Sequence, residues 1–370
     1  MRRARILFTI PNFITAGSGI EMLNIACRLD QSLFEPFVCI RRSGSPIEKI
    51  LQSKGITLIV SPFSVERGPI IGRIAAVIKL AIFFRSFGFT VWQSFHWSSD
   101  FTEAMIARLS GAKYVYTKKN MNWGRRSWII KSILSNRIVA RNRTMMIRFF
   151  SSDLFKRKAV LIFGGVDVDR FSIRSRGYQF RNKYGVAPSA FVICQVAQLV
   201  PIKGQHLIIE AAKRIPGIVA FIAGAIRNEA YAERLRNLAV DLGVSDRVFF
   251  LGSIGDVPSL LNDSDCAILA TTLDHGHEEG CPVSVLEAMS CGLPCIVSNV
   301  AGSNDLIREM YNGLLFSPGS VEELVQKIRL VMDKPALARR MGNNARADVL
   351  ERFTLSREAA DFQKVYLMYF

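Results

Sequence analysis

Apolar residues in this chain fall into short runs separated by stretches of helical spacing, and the alternation persists from end to end. In the first half the β-rich runs are residues 6–10, 37–41, 57–60, 91–95, 114–117, 138–140 and 160–163, with helix-like segments at 20–29, 71–87, 101–109 and 127–134. The second half repeats the pattern, with strands expected at 191–196, 219–223, 248–251, 267–270, 295–298 and 314–316. Helices are expected there at 205–214, 230–242, 284–290, 321–332 and 356–369. Runs that are nearly continuous in apolar residues belong to strands covered on both faces, and helical crossovers make such sheets parallel. At 370 residues the chain exceeds one ordinary core. The expected class is α/β: two Rossmann-like, doubly wound parallel-sheet domains facing each other across a cleft, with ligand at the carboxyl ends of the strands. Residues 172–185 are polar and basic, so the boundary is placed after Phe171, giving domains 1–171 and 172–355 and a last helix over 356–370.

One stretch carries more chemistry than the rest. In EGCPVSVLEAMSCGLPCIVSNVA (279–301), Glu279 and Glu287 flank a Gly-Cys-Pro turn and the start of a helix near Ser284. The free N–H groups of Val283 and Ser284, just after Pro282, share the space of Glu279, and a helix N-terminus of this kind seats phosphate. Glu287 can accept hydrogen bonds from sugar hydroxyls. Two hydroxyl acceptors beside a diphosphate seat make a nucleotide-sugar site.

Glu279, seven residues, then Glu287-Ala288-Met289-Ser290-Cys291-Gly292-Leu293-Pro294 resembles the E-x7-E…E-A-M-x-C-G-x-P signature of the family-4 retaining glycosyltransferases, also called glycosyl transferases group 1, whose fold is GT-B. The resemblance extends along most of the chain. Phe163-Gly164-Gly165-Val166-Asp167, then Phe171, is similar to the family's N-G-V-D…F segment, with Gly164 in place of Asn. The stretch from Ala197 to Gly204 is similar to its G-R-L-x-x-x-K-G loop, and residues 248–252 to the V-x-F-x-G strand behind the base pocket. Arg352-Phe353-Thr354 and the last helix resemble the family's C-terminal helix, which crosses back to the first domain.

From that resemblance the donor side takes Gly17, Gly19, Gln198, Lys203, Ile254, Glu279, Pro282, Val283, Ser284 and Glu287. Gly17 and Gly19 lie in the turn after the first strand, where glycine allows close backbone approach to a phosphate. Lys203 supplies a point charge to a leaving diphosphate. Gln198 stands where the family has Arg, which throws the leaving-group charge onto Lys203. Glu279, Lys203 and His96 are the expected catalytic residues, with His96, Lys119 and Asn120 on the acceptor side. His275, His277, Glu278 and Cys281 match no zinc spacing, and no metal or other cofactor is expected. The implied activity is transfer of a sugar, with retention, from a UDP-, GDP- or ADP-sugar to a glycan or lipid-linked acceptor in polysaccharide or lipopolysaccharide biosynthesis. The alternatives are a non-catalytic nucleotide-sugar-binding protein, or an epimerase or phosphorylase on the same fold.

Charge changes the picture in one respect. The net +17 resides entirely in residues 1–172, which hold 27 Lys/Arg against 10 Asp/Glu, so that half faces an anionic surface or ligand. Residues 118–158 concentrate basic side chains with Trp123, Trp128, Phe149, Phe150 and Phe155 interleaved, the composition of an anionic membrane contact. Nothing resembles a nucleic-acid module. The seven cysteines form no C-x-x-C pair, so reduced thiols in the cytoplasm are expected. The apolar run at the N-terminus is too short for a signal-peptide core, and residues 74–84, interrupted by Lys79, too short for a membrane span. The expected location is cytoplasmic, peripheral on the inner face of the cytoplasmic membrane.

Overall fold

A computed structural model of the chain describes residues 3–12, 16–44, 46–119, 121, 126–273 and 278–370. It resolves into two compact units, residues 1–165 with 355–370, and residues 166–354. The first runs β1 (Ala4–Thr9), α1 (Ala16–Cys27), β2 (Phe34–Ile40), α2 (Pro46–Ser53), β3 (Thr57–Val60), α3 (Ile70–Arg85), β4 (Val91–Ser94) and α4 (Thr102–Leu109). It continues with β5 (Lys113–Thr117), α5 (Ser127–Leu134), β6 (Arg137–Ala140), α6 (Arg143–Phe150), α7 (Asp153–Lys156) and β7 (Ala159–Leu161). The second comprises α8 (Gln179–Lys183), β8 (Phe191–Val196), α9 (Gln205–Arg214), β9 (Ile218–Ala223), α10 (Glu229–Asp241), β10 (Val248–Gly252) and α11 (Val257–Asp263). After these come β11 (Cys266–Leu269), α12 (Val283–Ser290), β12 (Cys295–Ser298), β13 (Gly313–Phe316), α13 (Val321–Asp333) and α14 (Pro335–Arg352). The last helix, α15 (Leu355–Leu367), belongs to the first unit.

Both sheets are parallel, in the orders β3-β2-β1-β4-β5-β6-β7 and β10-β9-β8-β11-β12-β13. Each order reverses once, between β1 and β4 and between β8 and β11, and a crevice opens at the carboxyl ends of the strands at such a switch point. Pro36 sits inside β2 without breaking a ladder, because pairing with β3 starts only at Phe37. Tyr366 and Phe362 of α15 are fully buried in the first unit's core beside Phe8, Phe34 and Phe95. Tyr366 also donates its hydroxyl proton to Gln93 Oε1 at 3.2 Å.

The division falls at Gly165 rather than after Phe171. Residues 166–171, placed in the first domain by sequence, belong to the second unit: Arg346 donates to the carbonyl of Phe171 at 2.7 Å, and Ser290 Oγ donates to the same oxygen at 2.5 Å. Helix α14 has no counterpart in the expected elements, because Gly342 and two asparagines interrupt its pattern. Gly342 is there for packing: a Cβ at that position would lie 2.0 Å from the carbonyl oxygen of Gly292 in the Cys-Gly-Leu-Pro turn.

Candidate functional site

In the second unit the switch-point loops carry the acidic and basic residues picked out above. The loop after β8 ends in a single 3-10 turn, Pro201–Lys203, closed by Gly204 at φ +60°, where a Cβ would fall 2.0 Å from Ala270 O. Only glycine permits that approach, and it presses Lys203 against the loop following β11. Thr272 N–H donates to Ile202 O at 2.9 Å, stitching the two loops together. Lys203 Nζ donates to Glu279 Oε1 at 2.5 Å, and Thr271 Oγ1 donates to the same oxygen at 2.7 Å. The side chains of Lys203 and Glu279 are 23% and 13% exposed, so the pair is partly screened yet still reachable. Burial would raise the Glu279 pKa, but the charge and hydrogen bond of Lys203, with the Thr271 hydroxyl, hold it below its ordinary value.

Helix α12 begins at Val283 with Pro282 as its N-cap, leaving the amides of Val283 and Ser284 at the orphan end. Glu287, on its second turn, is half-buried, and burial drives its pKa up to about 7 against the opposing charge of Arg170. Ile254 is half-buried in the loop after β10. The Gln198 side chain is exposed, and its backbone carbonyl accepts from Gln205 Nε2 at 3.0 Å. Sequence reasoning missed Gln195, a polar residue inside β8 whose Nε2 donates to Lys203 O at 2.7 Å, and it missed Thr271. A polar side chain near the end of an otherwise apolar strand is the signal that could have found Gln195. His275 and His277 lie outside the described residues.

The first unit builds a different constellation at its own switch point. His96 follows β4 and is 5% exposed, with Nε2 3.3 Å from Glu66 and Nδ1 3.5 Å from Glu103. Glu103, fully buried on α4, accepts from Thr9 Oγ1 (2.5 Å), Ser94 Oγ (2.9 Å) and Trp92 Nε1 (3.1 Å). Burial opposes its ionisation, yet His96 and Lys131 hold its pKa down at about 2. Lys131 reaches under the loop to donate to Ser98 O at 2.9 Å and His96 O at 3.3 Å. Glu66, Arg67, Ser98, Ser99, Asp100 and Ser127 line a polar cleft of about 410 Å³ beside the histidine. Lys119 lies over the Phe95 ring and donates to Glu21 of α1 at 2.5 Å, while Arg141 bridges Glu21 (3.2 Å) and Glu358 of α15 (2.6 Å). Gly17 and Gly19 are already within α1 rather than in a loop before it. Asn120 lies outside the described residues.

The basic segment 118–158 differs from a solvated basic face. Lys118, Lys131 and Arg141 are buried. Trp128, Phe149, Phe150 and Phe155 pack on one another at ring separations of 5.9–6.4 Å, serving as the core under α5–α7. Trp123 and Arg125 lie outside the described residues. Among the described residues no helix is long and apolar enough to cross a membrane.

Two parallel-sheet units of this topology make a GT-B fold, and solved structures agree. Over 99% of this chain and 100% of the other, the fold superposes with a TM-score of 0.84 and 20% identity on Anabaena HepE, crystallised in complex with UDP and glucose. Residues 178–348, all in the second unit, match the family model of glycosyl transferases group 1. The UDP-Gal:alpha-D-GlcNAc-diphosphoundecaprenol alpha-1,3-galactosyltransferase of Escherichia coli is 29% identical over 217 residues, 57% of this chain and 54% of that protein. A GDP-mannose-dependent alpha-(1-6)-phosphatidylinositol monomannoside mannosyltransferase of Mycobacterium tuberculosis is 30% identical over 210 residues, 54% of each. The chain thus aligns with about half the length of these relatives.

Proposed function

We propose that the chain transfers a sugar, with retention, from a nucleoside diphosphate sugar to a lipid-linked or cell-surface glycan intermediate. The observation that carries this is the convergence of Lys203, Glu279 and Thr271 with Glu287 and the α12 N-terminus at one switch point. In this reading the α12 amides and Lys203 hold the diphosphate, Glu287 the ribose hydroxyls, and Glu279 the transferred sugar. The bond from the sugar's anomeric carbon to the phosphate oxygen breaks, and its electron pair leaves with the nucleoside diphosphate, whose growing charge Lys203 offsets. An acceptor hydroxyl forms the new bond to that carbon and gives its proton to the departing phosphate oxygen, which has just taken up the electron pair. The passing positive character on the sugar ring is stabilised by the ionised Glu279, which the Lys203 pair keeps deprotonated. The first unit is the acceptor side, with His96 between two carboxylates beside the polar cleft. The membrane-lipid acceptors in the names of both relatives support an amphiphilic acceptor here.

Calorimetry with UDP, GDP and ADP, followed by release of free sugar from the matching nucleotide sugar, tests the reading. The expected result is micromolar binding of one diphosphate and slow hydrolysis that Glu279→Ala abolishes. Binding of none of the three, or hydrolysis indifferent to Glu279, refutes it.

A further inference from the structure

Helix α3 is the least explained surface of the molecule. Val77, Ala81 and Phe84 anchor it to the first unit. Ile70, Ile74, Ile78 and Ile82 recur every fourth residue on another side, with Ile71 beside them, and all five face solvent. Ile71 is 84% exposed, Ile70 75% and Ile82 67%, with Phe83 at 42% continuing the apolar surface. Single exposed apolar residues are ordinary, but a stripe running from Ile70 to Phe83 of one helix marks a docking face. Beside it, between α3 and α4, a groove of about 510 Å³ is walled by Ile70, Ile74, Val77, Ile78, Met105 and Leu109.

Charge selects the occupant. No acidic residue occurs from 67 to 99, while Lys79 and Arg85 stand exposed on the helix and Arg67 just before it. An apolar stripe on a helix that carries cations and no acid of its own fits an interface where lipid tails meet anionic headgroups. The groove also adjoins the polar cleft, because Arg73 lines the groove and lies 3.6 Å from Asp100, which lines the cleft. Tail-binding and head-binding surfaces therefore meet at one ion pair.

We propose that α3 seats the protein on an anionic phospholipid bilayer, its isoleucine stripe among the acyl chains and Lys79 and Arg85 among the headgroups. The biological purpose assigned to this contact, access to a lipid-linked acceptor, rests on the function proposed above; the contact itself rests on α3. It replaces the basic segment 118–158 as the membrane-facing element, since Trp128, Phe149, Phe150 and Phe155 and three of the cations of that segment are consumed internally.

The test is flotation of the full chain with vesicles of phosphatidylcholine alone or with roughly one third phosphatidylglycerol. The expected result is binding to the mixed vesicles that Ile71→Asp with Ile78→Asp lowers by roughly tenfold or more, and that Lys79→Glu with Arg85→Glu lowers about fivefold per cation. Ile71→Trp adds a reporter at an exposed position, so its emission shifts to the blue on mixed vesicles whatever the aspartate variants do to folding. Absence of both binding and shift overturns the proposal. So does release by Arg126→Glu, Arg148→Glu and Lys156→Glu with the α3 variants unaffected. A dimer dispersed by Ile71→Asp, with no vesicle binding, overturns it too and assigns the face to a second copy. Diphosphate binding by calorimetry is run in parallel: vesicle binding without nucleotide affinity sinks the glycosyl-transfer reading alone, and the reverse sinks only this one.

Discussion

Replacing Glu287 by glutamine should strengthen the empty protein and weaken its ligand complex, and the two effects share one cause. The carboxyl sits half-buried with only Arg170 opposing the loss of hydration, which carries its pKa from 4.5 to about 7. At 1.36 kcal/mol per pH unit this is on the order of 3 kcal/mol of differential stability, and partial exposure reduces the realisable part to about 1–2 kcal/mol. The sign follows from proton binding. Between pH 4.5 and 7 the folded state keeps a proton that the unfolded state has released, so stability falls as pH rises through that window and stays low above it. Glu287→Gln removes the penalty: at pH 8 its melting temperature should exceed wild type by roughly 2–8 °C, and at pH 4.5 the two should coincide.

With ligand the order reverses. A ribose diol donating to an ionised carboxylate provides what the empty site lacks, and losing such charged hydrogen bonds costs about 1.5–3 kcal/mol, roughly 10- to 150-fold in affinity. Scanning calorimetry of both proteins from pH 4.5 to 8, with and without the diphosphate identified by titration, reads both effects. A glutamine variant less stable than wild type at pH 8, or equal in nucleotide affinity, would refute the reasoning.

Other substitutions separate the remaining roles. Lys203→Ala should cost about 1–3 kcal/mol in a urea melt, because Glu279 is left charged and partly buried, and should reduce turnover far more than Gln198→Ala, whose side chain is exposed. Gln198→Arg should tighten diphosphate binding; equal losses from the two alanine variants would show the phosphate seat to lie elsewhere. Thr271→Val should slow sugar release about tenfold with nucleotide affinity unchanged, since it removes one donor to Glu279, and a change in affinity instead would contradict that division. Glu103→Gln should cost on the order of 3 kcal/mol at pH 7, because a carboxylate held at about 2 contributes stability above pH 4.5 that fades as pH falls toward 2. Denaturant midpoints at pH 7 and pH 3 check this: a deficit as large at pH 3 as at pH 7 would mean that packing, not charge, is what was lost.

Strands were the legible part of the fold because a strand covered on both faces must be apolar nearly throughout, and residues 191–196, 295–298 and 57–60 agree with β8, β12 and β3 at both ends. Helices α6, α7 and α11 were not legible: they are one or two turns long, capped by Asn142 and Asp256 side chains in stretches that read as turns. The motif around Glu279 picked out the loop where Lys203, Thr271 and Glu279 meet because its spacing is written locally along the chain. The supports of that site are set by contacts between distant segments. Thr271 and Gln195 acquire meaning only when two loops after different strands close on each other, and no period in the sequence records that closure. Glu103 reads as a solvated helix residue by type, yet it is fully buried beneath His96.

The lopsided charge shows how much of a basic composition can be spent inside a fold. Of the excess cations in the first half, Lys119 and Arg141 are spent on Glu21 and Glu358, and Lys131 lies near Glu103 while donating to two loop carbonyls. Burial lowers Lys118 to about 6, with Lys131 adding to the effect, so it carries little charge at pH 7. A density of basic residues therefore measures internal wiring here as much as surface field. What reaches solvent is thinner, and on α3 it coincides with a stripe of exposed isoleucines. Two cations alone hold a protein to a membrane weakly, and an apolar stripe alone does not distinguish one bilayer from another. Together they supply the paired signals that reversible membrane attachment requires. The charge then sets which membrane and how much salt is tolerated, and the isoleucines set how long the protein stays.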